Sequence, residues 1–128
     1  MPTFKTRAVV TRSIPYGESD KIVTFFTEQL GKIRGIAKGA RRSQKRFQNA
    51  LGLFSHLRLS FFEREGMDLV RVESCDILHS FPGIREHLKK SFYGAYFLEL
   101  VSEMAGEREA NPEAYRHLLS FLGDLEVS

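Results

Sequence analysis

A small closed β-barrel followed by the start of an α-helical domain is the fold this sequence predicts, and three observations predict it. Apolar residues recur with a period of two through most of residues 1–79. A polar, basic connector breaks that pattern once, after the third strand-like segment. From Ser80 onward the apolar spacing becomes three and four, the period of a helix face.

The strands follow in order. Lys5 to Ile14 is rich in Val, Thr and Ile and is expected to stop at Pro15, where Pro15 to Asp20 supplies turn chemistry. Lys21 to Thr27 is apolar on both faces, and Gly31 sits where a tight reversal into Lys32–Lys38 is needed. Gly39 to Asn49 is the connector. A fourth strand is expected from Leu51 to Phe62, with Leu51, Leu53, Leu57, Leu59 and Phe61 on one face. Glu65-Gly66 turns the chain into a fifth, Met67–His79. Five antiparallel strands broken at that point suit a five-stranded OB-fold Greek-key barrel, whose closure also removes the exposed edges of so short a sheet. An SH3-like barrel would show the same periodicity.

The helical part is read from two stripes. Ile84, Leu88, Phe92, Ala95, Tyr96, Leu100 and Met104 form the first. Between Phe92 and Val101 nearly every side is apolar, which predicts an interior position. Asn111-Pro112-Glu113 is a helix start, and Tyr115, Leu118, Leu119, Leu122 and Leu125 form the second stripe. Two helices cannot bury both stripes unaided, so the chain reads as the amino-terminal part of a longer protein, with residues 1–79 as an OB-fold nucleic-acid-binding domain and residues 80–128 as the beginning of a truncated helical domain.

Charge points to the ligand class. The 128 residues carry 19 Lys+Arg and 16 Asp+Glu, a net charge of +3. Residues 1–79 hold 14 and 8 of these (net +6), and residues 80–128 hold 5 and 8 (net −3). No acid occurs between Glu28 and Glu63, whereas Lys32, Arg34, Lys38, Arg41, Arg42, Lys45, Arg46 and Arg58 all do. A solvated surface loop usually mixes signs; a cluster of one sign attracts polyanions. On the third strand Ile33, Gly35 and Ala37 are expected inward, and Lys32, Arg34 and Lys38 outward over about 20 Å. With Arg41, Arg42, Lys45 and Arg46 from the connector, they are the expected nucleic-acid-binding residues. Tyr16, Phe47, Phe54 and Phe62 are candidates for base stacking, though core or interdomain packing is the favoured reading of each, because helices must cover part of the barrel.

Other chemistry finds no footing. A lone Cys75 excludes a disulfide framework and a multi-cysteine zinc site in this stretch, and is expected to be a buried or half-buried thiol. His56, His79, His87 and His117 fall in no metal-binding spacing. Gly35-Ile36-Ala37-Lys38-Gly39 lacks the ending of a phosphate-binding P-loop, and no nucleophile elbow occurs. No catalytic residue, metal or cofactor is expected, and the chain reads as a non-enzyme. With no signal-peptide pattern or membrane span, it is expected to be soluble and cytoplasmic.

The residues also resemble a family. Arg12-Ser13, Tyr16-Gly17-Glu18 with Asp20, Thr27-Glu28, Gly31-Lys32, Arg34-Gly35, Ala37 through Arg42 and Leu51 through Phe54 resemble the opening of the RecO family of recombination mediators. Ser80-Phe81-Pro82, Ala95 through Leu100 and Asn111-Pro112 are similar to the start of that family's helical domain. The resemblance implies binding of single- and double-stranded DNA, annealing of complementary strands and help in loading recombinase, with RecR and the single-strand-binding protein as partners. Some members carry a cysteine zinc site, which Cys75 alone does not supply. An RNA-binding OB module, or an interaction module docking an acidic partner, would fit the same charge pattern.

Overall fold

The computed structural model describes residues 2–42, 47, 50–63 and 65–128. Five strands, β1 (Thr3–Tyr16), β2 (Asp20–Thr27), β3 (Gly31–Ala37), β4 (His56–Phe62) and β5 (Val70–His79), close into a barrel in the order β1-β2-β3-β5-β4. β3 meets β5 in parallel at Gly35↔Val70 and Ile36↔Arg71, and every other pairing is antiparallel. That order and the single parallel seam are the OB topology.

Inside the barrel lie Ala8, Val10, Val23, Phe25, Ile33, Leu57, Leu59, Phe61, Val70 and Val72, with Phe47 and Leu51 from the connector closing one end. Cys75 belongs to this core, where burial and then the Asp76 charge push its thiol up to about 12. It is therefore a protonated packing residue.

β1 runs further than expected, through Pro15 to Tyr16. Beyond Val9 it pairs with β2 alone, so Pro15 occupies a stretch with a free edge, where a missing N–H is tolerated. The fourth strand is shorter than expected. Leu51 to Ser55 is a turn, with Phe54 at φ 74, and pairing starts at His56. Alternation fails there because Leu51 enters the barrel core while Phe54 turns the other way into a second core.

That second core joins barrel to helices. α1 (Pro82–Arg85), α2 (Leu88–Met104) and α3 (Pro112–Val127) bring Ile84, Leu98, Tyr115, Leu118 and Leu122 against Val9, Phe26 and Phe54. Asn111 caps α3 by accepting from the Ala114 N–H (3.1 Å), as its sequence predicts. The stripe on α2 corrects the expectation of burial. Leu88, Phe92, Tyr96 and Met104 are 74, 69, 66 and 84% exposed, and the face turned inward carries Gly94 and Leu98. Gly94 is selected for contact because a Cβ there would lie 2.7 Å from the Phe54 ring. On a helix apolar all round, the smallest residues allow the closest approach.

Neither α2 nor α3 has a basic residue in its last turn, and each borrows a lysine. Lys32 of β3 donates to the Ser102 carbonyl (2.7 Å) and Lys90 to the Glu126 carbonyl (3.0 Å), placing positive charge at the negative end of each helix. The Glu126 carboxylate in turn accepts from His79 (2.7 Å) and the Gly83 N–H (2.9 Å). The His79 contact, first among its causes, holds that carboxyl below its ordinary value.

Two predictions follow from these contacts. Gly31, at φ +69, would place a Cβ 2.2 Å from the Glu109 carbonyl oxygen, whereas Gly17, at φ +63, has nothing within 4 Å. Gly17→Ala is expected to cost the ~1–3 kcal/mol of a left-handed non-glycine residue. Gly31→Ala is expected to cost more, because backbone must also move; urea unfolding of the two variants measures the gap. His56 bonds the Tyr115 hydroxyl (2.6 Å), and burial and then Arg7 lower its pKa from 6.5 while Glu28 opposes them. As pH falls, the unfolded chain binds this proton first, so stability present above about 6.5 declines below it toward the lower folded value. The drop in thermal midpoint between pH 8 and pH 5.5 is expected to shrink in His56→Gln.

Candidate nucleic-acid interface

An irregularity in β1 builds the open face of the barrel. Val10 pairs with Phe25 but Arg12 with Thr24, leaving Thr11 as an extra residue. Before this bulge the even positions Ala8 and Val10 point inward; after it Arg12, Ile14 and Tyr16 lie on the outer side with their partners Thr24, Ile22 and Asp20. Register with β3 extends the rows: Arg12, Thr24 and Arg34 form one, and Ile14, Ile22 and Ile36 the next. Arg71 of β5 continues the second row beside Ile36. Tyr16 and Asp20 form the third, and Lys38 reaches Asp20 (3.8 Å).

The basic loop after β3 is held against this face. The Asp20 carboxylate accepts from the Gly39 N–H (2.8 Å), and the Arg41 N–H donates to the Ser19 carbonyl (2.9 Å). Arg41 also donates through its guanidinium to the Gly17 carbonyl (2.6 Å). The Gly39 bond, the largest cause, lowers the Asp20 pKa below its usual 3.8; desolvation opposes it, and Ser19 and Lys38 assist. Tyr-Gly-Glu-Ser-Asp and Ala-Lys-Gly-Ala-Arg-Arg, separate in sequence, are thus the two halves of one clamp.

The expected cations divide. Arg34, Lys38, Arg41 and Arg42 rim the open face, each engaged loosely or through backbone: Arg34 lies 3.9 Å from Glu107 and Arg42 lies 3.7 Å from Glu18. These are exposed pairs, worth ~0–1 kcal/mol, that a phosphate can replace. Lys32 is outward as its parity requires, but it is occupied at the end of α2, and its backbone bridges to the segment at Gly106–Arg108. Lys45 and Arg46 lie outside the described residues. Among the aromatic candidates Phe47 and Phe54 are core, Phe62 is half-buried, and Tyr16 is 53% exposed.

Arg12 and Arg71 are additions to the expected cations; the sequence offered Arg12 only as part of the family resemblance and did not single out Arg71. Neither makes an ion pair or hydrogen bond among the described residues. Arg12 needs the bulge to face outward, and Arg71 needs the parallel seam to sit beside Ile36. The histidines have other uses: His56 and His79 bond Tyr115 and Glu126, and His87 caps α2 by accepting from the Lys90 N–H. Among the described residues there is no group of three metal-ligating side chains, and no helix is long and apolar enough to cross a membrane.

Comparison with known proteins places the chain in a family. Residues 1–81 match the family model for the Recombination protein O N terminal, and residues 85–128 match the one for its C terminal. The chain belongs to the RecO family. It is 40% identical over 126 residues to the DNA repair protein RecO of Geobacter metallireducens, covering 98% of this chain and 51% of that protein. Identity to the DNA repair protein RecO of Syntrophus aciditrophicus is 38% over 120 residues, covering 94% and 46% of the two chains. For that of Anaeromyxobacter dehalogenans it is 34% over 128 residues, covering 100% and 50%. The chain therefore spans about half the length of the curated RecO relatives it matches.

The clamp makes a prediction. Asp20→Ala removes the acceptor of the Gly39 N–H, so the Gly39 and Arg41 amides are expected to exchange with solvent severalfold faster while core amides such as Phe25 do not change. In the unaltered chain the clamp is present above the ordinary carboxylate value and is lost as pH falls through the lowered folded one. Amide exchange followed by NMR checks both.

Proposed function

We propose that this chain is the nucleic-acid-binding portion of a mediator of DNA repair and recombination, working by binding alone. The supporting observation is the ring of Arg12, Arg34, Lys38, Arg41, Arg42 and Arg71 around one open OB face. OB barrels bind single strands across this part of the sheet and its neighbouring loops.

Cations on a barrel face, with no recognition helix entering a groove, contact phosphates and give little sequence preference. Phosphates occur in single strands and duplexes alike, so the rim binds both. Two strands held by a loop that screens their mutual repulsion can pair while bound, which is annealing. We extend the proposal to assistance in recombinase loading, to RecR and the single-strand-binding protein as partners, and to a cytoplasmic, nucleoid-associated setting; the resemblance to the RecO family supports these without this face bearing on them. Exposed guanidinium groups would serve RNA phosphates as well; competition between matched DNA and RNA strands reads that preference directly.

If about four cations neutralise phosphates of a single strand, affinity is expected to fall roughly fifty-fold between 50 and 200 mM salt. Replacing Arg34, Lys38, Arg41 and Arg42 with Ala is expected to flatten that dependence and slow the annealing of complementary strands. A quadruple variant with the parental slope and annealing rate would remove this face from the interface.

A further inference from the structure

The centre of the open face is apolar, and neither core uses it. Ile14, Ile22 and Ile36 stand side by side on β1, β2 and β3 and belong to neither buried cluster. Ile14 is 39% exposed, and Tyr16, one row away on the same strand, is 53% exposed. At about 4.8 Å between strands and about 3.3 Å per residue along them, the three isoleucines and the tyrosine make a floor roughly 10 Å by 7 Å. Isoleucine is a good strand former, and that alone would explain one outward isoleucine. It does not explain three in register with an exposed tyrosine beside them.

The surroundings identify the occupant. Arg12 and Arg34 border the isoleucine row on one side, Lys38 and the clamped Arg41 border it on the other, and Arg71 closes one end. Apolar surface ringed by cations suits a ligand with flat apolar faces and a charged backbone. A single nucleic-acid strand is such a ligand, because its bases can turn out and lie on the protein while its phosphates reach the rim. A duplex offers phosphates only, its base faces being stacked within the helix. An acidic peptide would satisfy the rim but offers a flat face only where it carries an aromatic side chain, whereas every nucleotide of a single strand carries one.

We propose that Ile14, Ile22, Ile36 and Tyr16 form a base-facing floor that makes this site prefer single strands to duplex. The strand lies with bases toward the barrel and phosphates toward the rim, and the contact is short, near the low end of the ~4–16 nucleotides that OB folds accommodate. This rests on the nucleic-acid reading of the face, and salt dependence separates the two. The rim determines how steeply affinity falls with salt; the floor adds a contribution that salt leaves unchanged.

The test measures binding of the protein to a thymidine oligonucleotide and to a duplex across a salt series, with Tyr16→Ala, Tyr16→Phe and Ile22→Thr, each variant checked for parental thermal unfolding. Ile22→Thr keeps a β-branched residue, and Tyr16→Phe keeps the ring. Tyr16→Ala is expected to weaken single-strand binding by roughly 5- to 150-fold, with the salt slope and duplex affinity unchanged. Ile22→Thr is expected to act in the same sense, and Tyr16→Phe to bind as the parent. Equal losses on single strand and duplex would overturn the floor. So would unchanged single-strand binding in Tyr16→Ala while Arg41→Ala still flattens the slope. If the unaltered protein shows no salt-dependent binding to either ligand, the nucleic-acid reading falls and the floor falls with it.

Discussion

The extra residue in β1 determines what this molecule presents to its surroundings. Side chains alternate across a strand, so inserting Thr11 reverses the facing of everything after it. Without it Arg12, Ile14 and Tyr16 would follow Ala8 and Val10 into a barrel already filled by Phe25, Leu57, Leu59 and Phe61. With it, β1 contributes to the core in its first half and to the open face in its second. The bulge is itself secured: the Thr11 hydroxyl donates to the Thr24 carbonyl (3.3 Å), and Val10 exchanges backbone bonds with Ser55 and Phe54.

The clamp around Asp20 is the second element of the site. A chain of arginines on a free loop would lose conformational entropy on meeting a phosphate backbone. Here Gly39 and Arg41 are tied to the β1–β2 turn beforehand, so two guanidinium groups stand near Tyr16 before any ligand arrives. Arg41 is held by the Gly17 carbonyl and keeps its full charge, while Arg42 lies 3.7 Å from the exposed Glu18 carboxylate, a partner that a phosphate can replace.

The barrel was legible because its signals are local. Period-two runs, Gly31 and the break after the third strand identified five strands, and the parity of Ile33, Gly35 and Ala37 placed Arg34 outward. What escaped depends on pairing across the chain. Nothing in Val10-Thr11-Arg12 announces a bulge, so Arg12 was not counted among the outward cations. Arg71 becomes a neighbour of Ile36 only through a parallel contact between strands far apart in sequence. Lys32 reads as one cation among several until α2 arrives in need of positive charge at its end. The inward face of α2 was mistaken for a similar reason: periodicity orients a helix that has a polar side, and this one is apolar nearly all round, so the choice fell to close fit at Gly94.

Charge and periodicity both change near Ser80, which invites a division of the chain there. Packing nevertheless runs across that line. Val9 and Phe26 project from the outside of the sheet into the layer built by Ile84, Leu98 and Tyr115, while their neighbours Val10 and Phe25 fill the barrel. Two adjoining strands are thus sandwiched between separate oily layers, and each layer shields one side of them. Cutting at the visible border would strip the sheet of its outer cover and wet the flank of β1 that carries Val9, one residue from the bulge. The segment that looks like an appendage in sequence therefore serves as a wall, and an excised barrel would expose Val9 and Phe26 to water even though every cation on the rim remained.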